Sequence, residues 1–269
     1  MTIPSKGCRD MSGHLIGEQG VKQLSWVLPE ECPIAICLNG ESYAVMLATP
    51  LDLEDFAIGF CLSEGLVTAR DKILSIQQKV RKDGIEVHIT LSDEALERVQ
   101  LMDRRRRLAG GSGCGICGLS SLSHVGEMPV PLVSDLKIPL ASILKVRAAF
   151  ENHTPLHQRC YSVHGAVFAD VDGNVLVARE DVGRHNALDK LIGSLSVQGL
   201  DVGQGFVMIT SRFAYELVQK CARLKVPVAV SISAPTTMAI EMARAANMTL
   251  GAFSGKDELM VFSAENRLV

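Results

Sequence analysis

Two cysteines in a glycine-rich segment are the residues whose type and spacing most clearly suggest chemistry. Cys114 and Cys117 lie within residues 110–118, GGSGCGICG, five of which are glycines. Glycine loses the most backbone freedom on ordering, so this segment predicts a mobile loop and not a helix or a central strand. The arginines at 104–107 could lower the thiol pKa if the chain folds back, although they also fit a solvated helix end.

Three chemistries fit this CxxC motif: dithiol redox, half of a zinc site, and sulfur carriage as a persulfide. Dithiol redox usually places the motif at a helix start, and this flank is too glycine-rich for that. Zinc needs two further ligands, and the sequence has no second CxxC and no His-x-x-His pair. A flexible loop with incidental cysteines is the alternative without chemistry.

A polar stretch at 179–186 follows a predicted strand and opens a predicted helix. Strand ends of this kind are where α/β folds place ligands, so Arg184 and His185 could contact a phosphate or a base. The structural alternative is a capped helix start with Asp181 as the cap. His164 begins an apolar strand and fits a core histidine better than a ligand.

Two further strand-to-helix junctions occur, one with Ser211 and Arg212 and the other at 233–237. Hydroxyls and free backbone N–H groups at a helix N-terminus suit a phosphate. Capping alone also explains each junction, with Pro235 at a first helical position. Because the three junctions would converge on one sheet edge, together they favour a nucleotide-like ligand.

The predicted elements give an α/β fold. Asn39-Gly40 predicts a tight hairpin, residues 53–61 a helix that stops at Gly65, and residues 84–91 a strand. The second half alternates short apolar strands with amphipathic helices, which predicts a layered domain with several parallel strands. We expect a smaller α+β domain over 1–109, a CxxC loop and linker over 110–137, and an α/β domain over 138–269.

Composition excludes several classes of protein. With 27 basic and 30 acidic residues, the net charge of −3 argues against a general nucleic-acid binder. No apolar run approaches the ~20 residues of a membrane span, and the first residues lack the apolar core of a secretory signal. The eight cysteines are too scattered for a disulfide scaffold, so we expect reduced thiols and a cytoplasmic location.

Five segments together resemble the FdhD family of formate dehydrogenase accessory sulfurtransferases. They are FAIGFCLSEGL, GCGICG, EDVGRHNALDK, SRFAYELVQK and SAPTTMAIEMA, in this order along the chain. The resemblance implies a cytoplasmic dimer that takes sulfur from a cysteine desulfurase and carries it as a persulfide. The sulfur then passes to the molybdenum or tungsten of a bis-molybdopterin guanine dinucleotide cofactor destined for formate dehydrogenase.

The resemblance also assigns residues and a fold. Cys114 matches the persulfide cysteine and Cys117 its partner, while the loop that binds the GDP-like end of the cofactor falls at Phe253, Ser254, Gly255 and Lys256. The C-terminal domain is expected to have the three-layer cytidine-deaminase fold. The chain departs from the family pattern at Tyr161 and Ser162, where a glycine-containing pair is usual, and at Asp257 and Glu258, which bring negative charge to the loop.

Both lines of reasoning lead to one hypothesis, a sulfur relay in which the α/β domain holds the nucleotide end of the cofactor near the CxxC loop. A chaperone that binds the cofactor without sulfur chemistry is the main alternative. A zinc deaminase is disfavoured because the sequence lacks the His-x-Glu and Pro-Cys-x-x-Cys set that this chemistry needs.

Overall fold

The computed structural model describes residues 7–18, 20–108 and 129–269, with the backbone alone over 103–108. The strands are β1 Cys8–Gly17, β2 Gly20–Pro29, β3 Cys32–Leu38, β4 Glu41–Ala48, β5 Ile73–Arg81, β6 Gly84–Leu91, β7 His164–Asp170, β8 Val175–Asp181, β9 Gly205–Ile209, β10 Val228–Ser231, β11 Thr249–Phe253 and β12 Leu259–Ser263. The helices are α1 Leu53–Ser63, α2 Asp93–Leu108, α3 Leu140–Ala149, α4 Pro155–Cys160, α5 Arg184–Gln198, α6 Tyr215–Arg223 and α7 Thr237–Ala245.

A four-stranded sheet in the order β4-β3-β6-β5 forms the first part of the fold. The predicted hairpin joins β3 to β4, and Asn39 and Gly40 both have the positive φ that a tight turn of this type requires. The predicted α1 is also confirmed, and Gly65 follows its last turn with a positive φ. Alternate residues of β3 and β6 pack against α1, and they form one side of the core.

A six-stranded sheet in the order β12-β11-β10-β9-β7-β8 forms the second part. Strands β9, β10 and β11 are parallel, as the alternating pattern predicts. Strand β7 runs antiparallel to both β8 and β9, so β8 points the same way as β9. The carboxyl ends of β8, β9, β10 and β11 therefore lie along one margin, which we call the carboxyl edge.

Helices cover both faces of this second sheet. Alternate residues such as Val167 and Phe206 pack with Ile143 and Phe150 of α3 and its extension on one side. Their neighbours Phe168 and Val207 pack with α5, α6 and α7 on the other side. The result is a sheet between two helical layers, whereas the closer likeness to cytidine deaminases stays a prediction.

Helices α1 and α5 join the two parts of the chain through glycine contacts. A Cβ atom added at Gly59 would overlap the Asp189 carbonyl, and one added at Gly193 would overlap the Asp55 carbonyl. This close approach merges the residues around both helices into one continuous core. The two predicted domains, residues 1–109 and 138–269, therefore both contribute side chains to this hydrophobic core.

A two-stranded ribbon, β1–β2, precedes the rest of the fold, and it is not among the elements predicted from the sequence. The two strands pair antiparallel over ten residues each, from Cys8 opposite Pro29 to Gly17 opposite Gly20. Cys8 and Val27 at its base pack against Leu156, Cys160 and Val163. Most of its other side chains are exposed.

Candidate functional site

The carboxyl edge brings together the three junctions that the sequence singled out. His164 starts β7 beside Asp181 at the end of β8, and Ile209 pairs with Ser231 one strand further on. The Gly165 N–H donates to Thr210 Oγ1 at 3.0 Å, and the Thr210 N–H donates to the Gly165 carbonyl at 3.0 Å. From β8 to β11 the edge spans four strand spacings, roughly 19 Å, which is long enough for an extended ligand.

The structural alternative for this junction, with Asp181 as the helix cap, is wrong. The N-cap of α5 is Gly183, with no side-chain cap, and Asp181 lies two residues earlier. Its carboxylate accepts from the Gly183 N–H at 2.7 Å and the Thr49 N–H at 3.0 Å, and it forms an ion pair with Lys190 Nζ at 2.7 Å. Both charged side chains are fully buried. Asp181 therefore fixes the junction onto the chain at Thr49 and does not face a ligand.

The remaining charges of this junction also hold the fold together. Glu180 accepts the Leu156 N–H at 2.9 Å and the His157 N–H at 2.7 Å, and burial raises its pKa. Asp189 accepts from Ser63 Oγ at 2.6 Å and from Lys220 Nζ at 2.9 Å. We call Asp181, Asn186, Asp189, Lys190 and Lys220 the buried polar network.

Arg184 and His185 differ from this network because they contain buried nitrogen atoms without partners. Arg184 Nε and His185 Nε2 are inaccessible to solvent and have no hydrogen-bond partner among the described residues. Burial and the neighbouring Arg184 guanidinium lower the pKa of His185 to about 4, so its imidazole is neutral at pH 7. A neutral imidazole beside a guanidinium can serve an anionic or hydrogen-bonding ligand without adding a second positive charge.

Ser211 and Arg212 reach the carboxyl edge, but they do not open a helix, so that expectation is wrong. Helix α6 begins only at Tyr215, with Ala214 as its N-cap. The intervening Phe213 is fully buried, and its carbonyl accepts the Thr236 N–H at 3.0 Å, which keeps the segment extended. Ser211 is buried and its Oγ donates to the Arg212 carbonyl at 3.1 Å, whereas the Arg212 side chain is exposed.

The third junction has an ordinary cap. Thr236 is the N-cap of α7, and its Oγ1 accepts the Ala239 N–H at 3.3 Å. Pro235 precedes the cap and is not the first helical residue, so that expectation is wrong. The Thr236 hydroxyl is already used in capping. This junction therefore has fewer free polar groups for a ligand than the α5 junction has.

The proposed cofactor loop is the turn between β11 and β12 at the far end of the edge. Phe253 closes β11, and the Ser254 N–H donates to the Glu258 carbonyl at 3.0 Å. The side chains of Ser254, Lys256, Asp257 and Glu258 are exposed, and Gly255 is half-buried. Lys256 is therefore a solvent-facing cation beside two carboxylates.

Arg147 is a residue of this region that was not predicted from the sequence. It lies on α3, and its guanidinium carbon sits 4.0 Å above the centre of the Phe253 ring. Its Nη1 atom is buried without a hydrogen-bond partner among the described residues. No local signal marks this arginine, because the contact joins positions 106 residues apart in the chain.

Tyr161 and Ser162 occupy the turn before β7. Tyr161 has a left-handed φ of 54° and is 77% exposed, and its ring makes an edge contact with His157 at 5.8 Å between ring centres. His164 is half-buried, and burial followed by the positive charge of Arg184 lowers its pKa. His164 lies opposite Asp181 in the β7–β8 pairing, at the same end of the carboxyl edge as the start of α5.

Cys114 and Cys117 lie outside the described residues, as do the side chains of the arginines at 104–107. The six cysteines that the structure describes are all buried. Burial raises the pKa of the Cys61 and Cys221 thiols to about 12, far above the range in which a thiolate forms at neutral pH. The prediction of a reactive thiol therefore depends on Cys114 and Cys117.

Within the described part of the chain, no helix is both long and apolar enough to cross a membrane.

Comparison with known proteins gives consistent matches. The model of the FdhD/NarQ family matches residues 29–269. The chain is 44% identical over 239 residues to the sulfur carrier protein FdhD of Cupriavidus necator, which covers 89% of this chain and 82% of that protein. The FdhD of Chromobacterium violaceum is 43% identical, over 87% of each chain.

A solved structure is similar as well. It is a crystal structure assigned to a formate dehydrogenase accessory protein from Desulfotalea psychrophila, with a TM-score of 0.77 and 25% identity. The match covers 97% of this chain and 99% of that one. The likeness thus extends over both sheets, in addition to the sequence motifs.

Proposed function

The chain belongs to the FdhD/NarQ family, and on that premise we propose that it is a sulfur carrier that helps to mature formate dehydrogenase. In the cytoplasm it receives sulfane sulfur from a cysteine desulfurase on Cys114. It delivers this sulfur to a bis-molybdopterin guanine dinucleotide cofactor, which is its cargo, and it acts as a pair of identical chains. The cargo's GDP-like end lies along the carboxyl edge.

The sulfur step is an exchange between thiols. The Cys114 thiolate attacks the terminal sulfur of the desulfurase persulfide, the new bond gives a Cys114 persulfide, and the desulfurase thiolate leaves. For delivery, the Cys117 thiolate attacks the inner sulfur of that persulfide, forms a Cys114–Cys117 disulfide and releases hydrosulfide to the metal of the cargo. A cellular dithiol then reduces the disulfide. The leaving group is the desulfurase thiolate in the first step and hydrosulfide in the second, and the reduction returns Cys114 and Cys117 to thiols.

The observation that carries the proposal is the pair of unpartnered atoms, Arg184 Nε and His185 Nε2, at the carboxyl edge. A buried N–H without a partner costs about 1–3 kcal/mol, so its presence favours a ligand that satisfies it. A phosphate or a guanine edge supplies an acceptor for the Arg184 Nε–H, and a guanine edge has both donors and acceptors for His185 Nε2. Ser211, Arg212 and the loop from Phe253 to Lys256 lie along the same edge and extend this surface.

The proposal has two parts, and each has its own measurement. Incubation with a cysteine desulfurase and cysteine is expected to add about 32 Da, one sulfur atom, to the intact chain, in a form that thiols remove. Cys114→Ser is expected to abolish the adduct, and Cys37→Ser, a buried cysteine on β3, is the matched control. Isothermal titration with GDP then measures binding at the carboxyl edge.

The outcomes separate the candidate functions. An adduct on Cys114 together with GDP binding supports the relay. GDP binding without any adduct supports the cofactor chaperone and rejects the sulfur step. If the Cys114→Ser chain restores formate dehydrogenase activity as well as the unchanged chain does, the role of Cys114 is wrong.

A further inference from the structure

Tyr161 is an exposed aromatic residue at the end of the carboxyl edge where β8 stops and α5 begins. It precedes His164, the first residue of β7, by three positions, so the two Cα atoms are at most about 10 Å apart. Tyr161 is 77% exposed. Single exposed aromatic residues are ordinary on protein surfaces, so the backbone conformation and the neighbours of this one decide whether it has a use.

The backbone of Tyr161 adopts a conformation that tyrosine seldom has. Tyr161 ends α4 with φ 54° and ψ 15°, and its N–H donates to the His157 carbonyl at 2.7 Å. Glycine is the usual residue at such a left-handed helix end, because a Cβ atom there crowds the backbone. The exposed phenol ring adds little packing that would offset this cost. A tyrosine at this position therefore favours a use outside the fold.

The ring of Tyr161 is held by His157, which is itself fixed in place. The His157 N–H donates to Glu180 Oε1 at 2.7 Å, and His157 Nδ1 lies 3.0 Å from the Val163 carbonyl oxygen. The centres of the two rings are 5.8 Å apart, and the ring planes meet at 75°. Because an edge contact covers at most one face of the phenol ring, the other face stays open to a flat ligand.

The Tyr161 ring and the unpartnered nitrogens of α5 lie at the same corner of the carboxyl edge. Strand β7 begins beside the end of β8. Burial, and then the charges of Arg184 and His157, lower the pKa of His164, so His164 is close to both side chains. Arg184 Nε and His185 Nε2 are buried without a hydrogen-bond partner among the described residues. The corner thus combines an open aromatic face with buried nitrogens that a ligand can satisfy.

We propose that this corner is the base subsite of the nucleotide, and that the guanine of the GDP-like end stacks on the Tyr161 ring. Purine bases stack on aromatic side chains, and the guanine edge carries both acceptors and donors for Arg184 Nε and His185 Nε2. This inference rests on the proposed function and adds to it a residue that selects for a base.

The charges along the edge favour this orientation of the ligand. Lowered pKa values keep His164 and His185 neutral at pH 7, and Glu180 lies at the end of the neighbouring strand β8. An uncharged base fits these surroundings. Arg212 is an exposed cation that follows β9, one strand beyond β7, and a diphosphate gains more from its guanidinium. The phosphates therefore extend away from Tyr161 towards Arg212.

Isothermal titration with GDP tests the stacking. Tyr161→Leu removes the ring and keeps an apolar side chain, so GDP affinity is expected to fall about tenfold. Tyr161→Phe, the matched control, keeps the ring and is expected to bind GDP as the unchanged chain does. The loss for Tyr161→Leu is expected to be equal at low and high salt, because stacking involves no ion pair. The loss for Arg212→Met is expected to shrink as salt rises, because salt screens an exposed ionic contact.

A further variant separates binding from folding. Tyr161→Gly suits the left-handed φ, so the midpoint of thermal unfolding of the free chain is expected to stay the same or to rise. Its GDP affinity is expected to fall as it does for Tyr161→Leu. A purely structural role for Tyr161 would instead lower the unfolding midpoint and the affinity together.

The outcomes keep this inference apart from the proposed function. The base subsite alone is overturned if GDP binds Tyr161→Leu as tightly as the unchanged chain, or if Tyr161→Phe loses as much affinity as Tyr161→Leu. If the unchanged chain does not bind GDP, both the base subsite and the nucleotide binding of the proposed function are overturned. An affinity loss for Tyr161→Leu in a chain that never gains the sulfur adduct supports the base subsite and rejects only the sulfur step.

Discussion

The segment from Glu180 to Lys190 contains two regions that the structure treats in opposite ways. In the buried polar network, the Asp181 carboxylate and the Lys190 ammonium group are fully buried. They pair with each other, and each also forms a hydrogen bond with the backbone of Thr49. In the first turn of α5, Arg184 and His185 have buried nitrogens with no partner among the described residues. Both regions are polar, and they lie next to each other in the same short segment of the chain.

This difference separates polar side chains that stabilise the fold from polar side chains that could bind a ligand, within one motif. A buried ion pair that also bonds to distant backbone fixes the position of the helix. A buried nitrogen without a partner is a cost that folding alone does not compensate, and a ligand can compensate it. The network thus fixes the first turn of α5, and the proposed function assigns ligand binding to Arg184 and His185 in that turn.

The largest expected effect comes from breaking the network. Lys190→Met removes the cation that faces the buried Asp181 carboxylate, so we expect the free energy of unfolding to fall by about 3–5 kcal/mol. Urea unfolding at pH 7 measures this loss. Adding Asp181→Asn removes the unpaired charge and is expected to recover part of the stability.

Lys256→Met is the matched control, because Lys256 is an exposed lysine in the loop after β11. Its free energy of unfolding is expected to change by less than about 0.5 kcal/mol. A loss below about 1 kcal/mol for Lys190→Met would mean that the network is not structural, and the comparison between the two regions would fail.

Local signals in the sequence were enough to predict several elements. The Asn39-Gly40 turn depends on the conformations of two adjacent residues, so the hairpin could be predicted directly. The alternation of strands and helices placed Arg184 and Ser211 at strand ends, and the sheet register brings both to the carboxyl edge. These features depend on periodicity and on turn chemistry.

Contacts between distant parts of the chain could not be predicted in this way. The role of Asp181 depends on Thr49, 132 residues earlier, so a helix cap was the reasonable but wrong interpretation. Helix α6 starts late because Phe213 is drawn into the core. The alternation of Leu24, Trp26 and Leu28 was a visible signal of a strand, and the ribbon could have been predicted from it.

A second prediction uses the pH dependence of the unpartnered region. The pKa of His185 is lowered from 6.5 to about 4 in the folded chain, so between these pH values the unfolded chain binds the extra proton. Stability therefore falls as the pH drops from 6.5 towards 4, by about 2 kcal/mol once partial exposure is allowed for.

Urea unfolding of the unchanged chain and of His185→Gln across this range measures the effect. His185→Gln is expected to flatten the slope. What remains comes from His164, whose pKa is lowered in the same direction, and from Glu180, whose raised pKa acts in the opposite direction. His14→Gln, on the exposed ribbon, is expected to keep the full slope. Equal slopes for the unchanged chain and His185→Gln would show that this imidazole is not held neutral by its surroundings.

The third prediction contrasts Arg184 directly with Lys190. Arg184→Met removes a buried Nε that has no partner, so the free energy of unfolding is expected to stay within about 1 kcal/mol or to rise. GDP affinity is expected to fall about tenfold, or ~1.4 kcal/mol, because a phosphate or base contact is lost. Isothermal titration and urea unfolding on the same samples give both numbers.

Arg81→Met removes the same charge from the four-stranded sheet, where Arg81 pairs with Glu86. It should leave GDP affinity unchanged, which separates a local contact from the general effect of net charge. A large loss of stability for Arg184→Met, with GDP affinity preserved, would show that Arg184 stabilises the fold as Lys190 does and does not bind the ligand.

The smallest expected effect concerns Arg147, which combines features of both regions. Its guanidinium carbon lies 4.0 Å from the centre of the Phe253 ring, in a cation–π contact, while Nη1 has no hydrogen-bond partner among the described residues. A contact of this kind contributes about 0.5–1 kcal/mol at a half-buried site, so a double-mutant cycle between Arg147→Met and Phe253→Leu should give a coupling of that size. Lys145→Met, on the exposed side of α3, is the control and should not couple to Phe253.

If the loop after β11 holds the nucleotide, the same cycle measured on GDP affinity will also couple, because Arg147 would then fix the ring against which the ligand lies. Coupling in stability without coupling in affinity would assign Arg147 to the structural region, and the ligand contacts would be confined to the α5 end of the carboxyl edge.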